Sequence, residues 1–104
     1  MIIAIVGSSS LKREILNYAK EKELEGNICI MSHIFSHSDN YELNEDQVQI
    51  AIENGHKRID IADKLVVVTK EGYIGDSTRE EIQYCQNNYP EKEISFYCIT
   101  NDKE

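Results

Sequence analysis

Four short apolar runs, separated by three stretches with helical spacing, constrain this chain more than any other feature of its sequence. Residues 2–6 (Ile-Ile-Ala-Ile-Val) form a continuous apolar run closed by Gly7. Runs of this length suit strands covered on both faces, as in a parallel sheet. Residues 27–31 (Asn-Ile-Cys-Ile-Met) read as a second buried strand, residues 64–69 (Lys-Leu-Val-Val-Val-Thr) as the strongest strand, and residues 93–99 as the last. Between the first two, Leu11, Ile15, Tyr18, Ala19 and Leu24 fall near helical spacing, with Gly26 as the C-cap. Asn44 with Gln47 three residues on has the pattern of a capping box. It opens a helix whose apolar side is Val48, Ala51, Ile52, Ile59 and Ala62. Gly55 weakens the middle of that helix by about 1 kcal/mol relative to alanine. A third helix is predicted from about Thr78 to Asn88, ahead of Pro90.

The resulting order is β-α-β-α-β-α-β. Alternation of this kind implies parallel strands joined by right-handed crossovers. The expected fold is therefore α/β: a small flavodoxin-like or Rossmann-like three-layer sandwich, with a four-stranded parallel sheet in order 2-1-3-4 and three helices. The whole chain, residues 1–104, reads as one domain. A chain this short buries roughly 60–70% of its surface, so a pocket at an edge or between subunits is favoured over a deep internal one.

Charge narrows the partners. Nineteen acids against eleven bases leave a net charge of −8, and no Lys/Arg stripe with interleaved aromatics is present. Nucleic acid is not an expected partner. A small phosphorylated ligand remains compatible, because backbone amides and one or two local cations hold a phosphate inside an acidic protein. Cys29, Cys85 and Cys98 are odd in number and lack CxxC spacing, so they read as free buried thiols of a reducing compartment. The first apolar run stops after six residues and has no basic leader. It reads as a strand rather than a signal peptide or membrane span, and the expected location is cytoplasmic.

In an open parallel sheet, ligands bind outside the carboxyl ends of the strands, where strand order reverses. That rule selects the loops at residues 7–10, 32–44 and 69–77. Gly7, Ser8, Ser9 and Ser10 combine backbone freedom with hydroxyls suited to a helix N-cap or a ligand. They fit neither GxGxxG nor a P-loop. The same rule puts Asp63 at the opposite end, where it turns the chain into the third strand. Glu81 lies about one turn inside the third helix, where a carboxylate can point toward the pocket while Arg79 and Glu80 point elsewhere. On spacing alone it is also an ordinary dipole-complementing surface acid. His33, His37 and Asp39 share a loop, but no second cluster completes a metal set, and neither metal nor cofactor is expected. A Ser8/His33/Asp76 triad can be drawn, without the GxSxG elbow that would support it.

Several segments together resemble the nucleoside 2-deoxyribosyltransferase superfamily, in particular its small bacterial and phage members. The resemblance covers about residues 1–98. It rests on the first strand running into Gly7-Ser8, on Leu24-Glu25-Gly26-Asn27-Ile28, and on Lys57-Arg58-Ile59-Asp60-Ile61-Ala62-Asp63. Its most distinctive part is Gly72-Tyr73-Ile74-Gly75-Asp76-Ser77-Thr78-Arg79-Glu80-Glu81-Ile82-Gln83-Tyr84-Cys85. The resemblance implies an N-glycosidic-bond hydrolase or deoxyribosyltransferase acting on a nucleoside or its 5′-monophosphate. Glu81 matches the family's nucleophile, which attacks the anomeric carbon as a retaining glycosidase does. It further implies that Ser8 and nearby amides hold the sugar or phosphate, and that Gly75, Asp76 and Ser77 line the opposite wall. Tyr73 or Phe35 would stack on the base. A homodimer or larger homo-oligomer is implied as well, with Ile34, Phe35 and Tyr41 as interface candidates. A non-catalytic nucleotide-binding module of the same fold is the alternative. Two positions depart from the family pattern. Ser10 stands where an arginine is common, and Gly55 stands where the hydrolase branch carries an aspartate.

Overall fold

The computed structural model describes residues 1–99. Its elements are β1 (Ile2–Gly7), α1 (Lys12–Leu24), β2 (Ile28–Met31), α2 (Ser36–Asp39), α3 (Glu45–Ile61), β3 (Lys64–Lys70), α4 (Asp76–Asn88) and β4 (Glu93–Ile99). The four strands form one parallel sheet in the order β2-β1-β3-β4, which is the expected α/β sandwich. One element is additional: the loop at residues 32–44 is not wholly irregular but contains the single turn α2.

The period-two alternation of the central strands sorts the core into two layers. Ile3, Ile5, Val66 and Val68 face α1, whose Leu11, Ile15 and Ala19 recur every four residues along one stripe. Ala4, Val6, Leu65 and Val67 face the other way, onto Ile59 and Ala62 at the end of α3 and Cys85 of α4. β3 is buried from Leu65 to Thr69 because it pairs on both sides and is covered on both faces.

The outer strands differ from the expectation. The apolar run of β2 predicts a buried strand, yet Ile28 is exposed and Cys29 to Met31 are only partly covered. It pairs on one side only, with β1, so half of its surroundings is missing. β4 is the opposite edge, and it carries Cys98 into solvent. The reading of all three cysteines as buried is therefore corrected: Cys85 is buried, Cys29 intermediate and Cys98 exposed, all as free thiols.

Turn chemistry fixes where the strand tops go. Asp63 lies at the end of the sheet opposite the strand tops, and there it does more than turn the chain. Ile2 N–H donates to the Asp63 carboxylate at 2.7 Å and Asp63 N–H donates to Ile2 C=O at 2.7 Å, which staples β1 to the start of β3. α1 has Leu11 at its N-cap with no side-chain cap of its own. The serines of residues 8–10 do not fill that role. Instead Lys12 N–H donates to Ser38 Oγ at 3.3 Å, so α2 caps α1 from across the loop. α3 opens with the anticipated capping box: Gln47 N–H donates to Asn44 Oδ1 at 2.8 Å, and Asn44 N–H donates to Gln47 Oε1 at 3.0 Å. Asn44→Ala removes the side-chain half of that exchange and is expected to cost about 1 kcal/mol, read as a lower urea midpoint with unchanged slope.

Candidate functional site at the strand tops

A cavity of about 280 Å³ opens above the carboxyl ends of β1 and β2. Its walls come from the loop after β1, the segment around α2, one face of α3 and the start of α4. α3 contributes Val48, Ala51, Ile52 and Arg58, which recur at helical spacing along one side. α4 contributes Ser77, Glu80 and Glu81.

Of the residues predicted to bind substrate or catalyse, Gly7, Ser9, Phe35, Ser77 and Glu81 line this cavity, and so do Ile34 and His37 from the loop after β2. Ser8, Ser10, Tyr73, Gly75 and Asp76 stand outside its lining, each for a local reason. Ser8 Oγ is turned onto its own loop, sharing a hydrogen bond with Ser10 Oγ at 2.8 Å and accepting from Ser10 N–H at 3.2 Å. Ser10 is exposed beside Lys12 and Ser38 on a separate shallow depression. Tyr73 is 67% exposed. Glu71 and Gly72 both take positive φ (56° and 81°), which folds the chain back so that Tyr73 bridges to Lys70 and its ring lies beside Gly75. Gly75 is the N-cap of α4, and Asp76 is an exposed first-turn residue that makes no side-chain cap. The predicted helix start at Thr78 thus moves two residues earlier.

Phe35 is 6% exposed and packs with Leu11 and Ile15 in the layer under α1. Its ring reaches the cavity as a wall and is not offered to a partner chain. Tyr41 is exposed and Ile34 partly so.

Glu81 is partly buried and opens onto the cavity. Burial raises its pKa from 4.5 to about 7; Arg58 opposes that rise and Glu80 adds to it. Loss of hydration disfavours the charged form of a carboxyl group, and a nearby cation restores part of it. Arg58 is itself half-buried, and burial lowers its proton affinity while Glu81 raises it. The two form no ion pair within 4 Å among the described residues. Glu80, expected to point away, lies on the same wall; its carboxylate pairs with His56 Nε2 at 2.8 Å. His56 in turn stacks on Tyr84, with ring centroids 3.8 Å apart.

Sequence reasoning misses three features. Arg58 is the one Lys or Arg among the described lining residues. Its signal is there: it sits seven residues after Ala51, a charge on an otherwise apolar helical stripe. Ser9 Oγ and His37 Nδ1 share a hydrogen bond, and the Ser38 hydroxyl donates to Ser9 C=O at 2.8 Å. The Ser9–His37 contact spans 28 residues, and no local pattern announces it. The third is Gly55. A Cβ placed there would lie 2.5 Å from Glu81 Oε2, so this position has room for the carboxylate only because it has no side chain. An aspartate at residue 55 would begin with that same Cβ.

Chemically, the cavity brings a largely desolvated carboxylate, a partly desolvated guanidinium and four serines (Ser9, Ser32, Ser36 and Ser77) to one polar and apolar chamber. Among the described residues, no three His, Cys, Asp or Glu side chains converge to hold a metal ion. Nor, among them, is any helix long and apolar enough to cross a membrane. No family model, curated protein or solved structure matches the chain.

Proposed function

We propose that this protein cleaves or exchanges the N-glycosidic bond of a nucleoside, deoxynucleoside or 5′-monophosphate, with Glu81 as nucleophile. The observation that carries the reading is the Glu81 carboxylate on the wall of a strand-top cavity, with Arg58 close enough to favour its ionised form. A glutamate oxygen bonds to the anomeric carbon as the bond from that carbon to the base nitrogen breaks. The bonding pair leaves with the base, which takes up a proton. Water or a second base then displaces Glu81. Glu80 on the same wall, hydrogen-bonded to His56 Nε2, is the group assigned to pass that proton to the base. Of the lining serines, Ser9 is already bonded to His37 and Ser36, so Ser77 is the hydroxyl assigned to the sugar.

The test is incubation with a panel of nucleosides, deoxynucleosides and their 5′-monophosphates, followed by chromatography for released base. Base release that falls at least about a thousandfold in Glu81→Ala is the expected result. No release from any member of the panel overturns the enzymatic reading. One observation favours the alternative of a binding module: Gly55 occupies the position where the hydrolase branch has its aspartate. Ligand-induced thermal stabilisation without turnover would establish that reading.

A further inference from the structure

Within α3, Gly55 is buried and sits where a helix gains nothing from glycine. The three heavy atoms nearest to a Cβ at this position all belong to one side chain: Glu81 Oε2 at 2.5 Å, Cδ at 3.5 Å and Cγ at 3.8 Å. The missing side chain therefore forms a notch in α3, and the carboxylate of α4 lies in it. On either side of the notch, Arg58 and Ile52 carry the same helix face into the cavity.

From this geometry we infer that Gly55 is a positioning residue, whose absent side chain seats the Glu81 carboxylate against α3 and holds it at the cavity wall. Its effect on catalysis rests on the proposed role of Glu81, whereas the notch itself is tested without substrate. Because the obstructing atom is the tip of a flexible side chain, an alanine at residue 55 displaces the carboxylate rather than the helix. The groups facing that carboxylate are Arg58 from α3 and Glu80 from its own helix.

The experiment compares Gly55→Ala with the natural chain by NMR titration of the Glu81 side-chain carboxyl and by base release. Expulsion from the notch rehydrates the carboxylate. Its midpoint is expected to fall from about 7 toward the ordinary 4.5, and base release to drop at least about tenfold with a matching shift in its pH profile. An unchanged midpoint in a folded Gly55→Ala protein overturns the inference. If the natural chain releases no base, the proposed reaction fails while the titration still judges the notch. Should Gly55→Ala not fold, the double variant Gly55→Ala/Glu81→Ala decides: with the carboxylate gone, the added methyl group fits. The melting temperature should then exceed that of Glu81→Ala by roughly 4 °C. A double variant less stable than Glu81→Ala places the obstruction elsewhere and overturns the inference.

Discussion

Replacing Glu81 by glutamine is expected to make the protein more stable at pH 8 while abolishing any turnover that depends on its carboxylate. The folded state raises this carboxyl from its ordinary 4.5 to about 7, chiefly because burial strips water from the charged form. A group whose folded pKa is raised contributes stability below its unfolded pKa and loses it as pH climbs through the folded value. Here the loss runs from about pH 4.5 to about pH 7. Above that window the chain folds around an anion it would rather hydrate. One pKa unit corresponds to ~1.4 kcal/mol, so the penalty at pH 8 is on the order of 3 kcal/mol. A glutamine has similar shape without the charge. After a pH-independent cost of about 1 kcal/mol for placing an amide in the same site, the gain at pH 8 is expected to be roughly 2 kcal/mol, crossing zero near about pH 5 and becoming a loss of about 1 kcal/mol by about pH 4. Urea denaturation at a series of pH values measures it. Equal stability of the two proteins across that pH range would show that Glu81 is hydrated like a surface acid.

If the proposed reaction holds, the same titration sets its pH profile. A nucleophilic carboxylate must be ionised, so base release should rise about tenfold per pH unit below about 7 and level off above it. A residue held in a state useful for chemistry and unfavourable for stability is a recurrent feature of active sites.

The second large effect is at Gly7. Gly7→Ala is expected to destabilise the protein by about 3 kcal/mol, through a close approach of backbone to backbone. A Cβ there would lie 2.8 Å from the carbonyl oxygen of Val68 and 3.1 Å from Ile15 Cδ1. Val68 is paired with Gly7 in the ladder between β1 and β3, so its carbonyl cannot swing aside without breaking the centre of the sheet. Gly55→Ala is the instructive contrast. Both glycines lack room for a methyl group, but at Gly55 the obstacle is a side-chain tip that rotates. In thermal melts, Gly7→Ala should therefore unfold well below Gly55→Ala. A Gly7→Ala protein as stable as the natural chain would mean that β1 and β3 pair more loosely than their register indicates.

The strands and their order were legible because both follow from local chemistry. Apolar runs of about six residues need cover on both faces, and strand–helix alternation needs parallel pairing with one handedness. The Asn44–Gln47 box could likewise be read, since it acts on backbone three residues away, whereas the bond from Ile2 to Asp63 spans 61 residues and could not. Edge exposure was missed although it follows from the strand order: Ile28 and Cys98 look as apolar as Ile5, yet the order 2-1-3-4 leaves β2 and β4 with one partner each.

For the site, sequence spacing placed Ser9, Ser77 and Glu81 at the strand tops, because a topological switch point fixes which ends of which elements converge. It did not decide what those residues meet. Glu81 reads as a first-turn surface acid until α3 is packed against α4, where Gly55 receives it and Arg58 faces it. Tyr73 reads as a pocket aromatic until two positive-φ residues turn it outward. Periodicity and chain direction were enough for the elements, their order and the end of the sheet that carries the cavity, because each of these follows from near neighbours in the chain. The protonation of Glu81, the purpose of Gly55 and the reach of Ser9 to His37 came only with packing. Burial, clearance and contact between residues 26 and 28 positions apart belong to packed neighbours, and no local pattern encodes them.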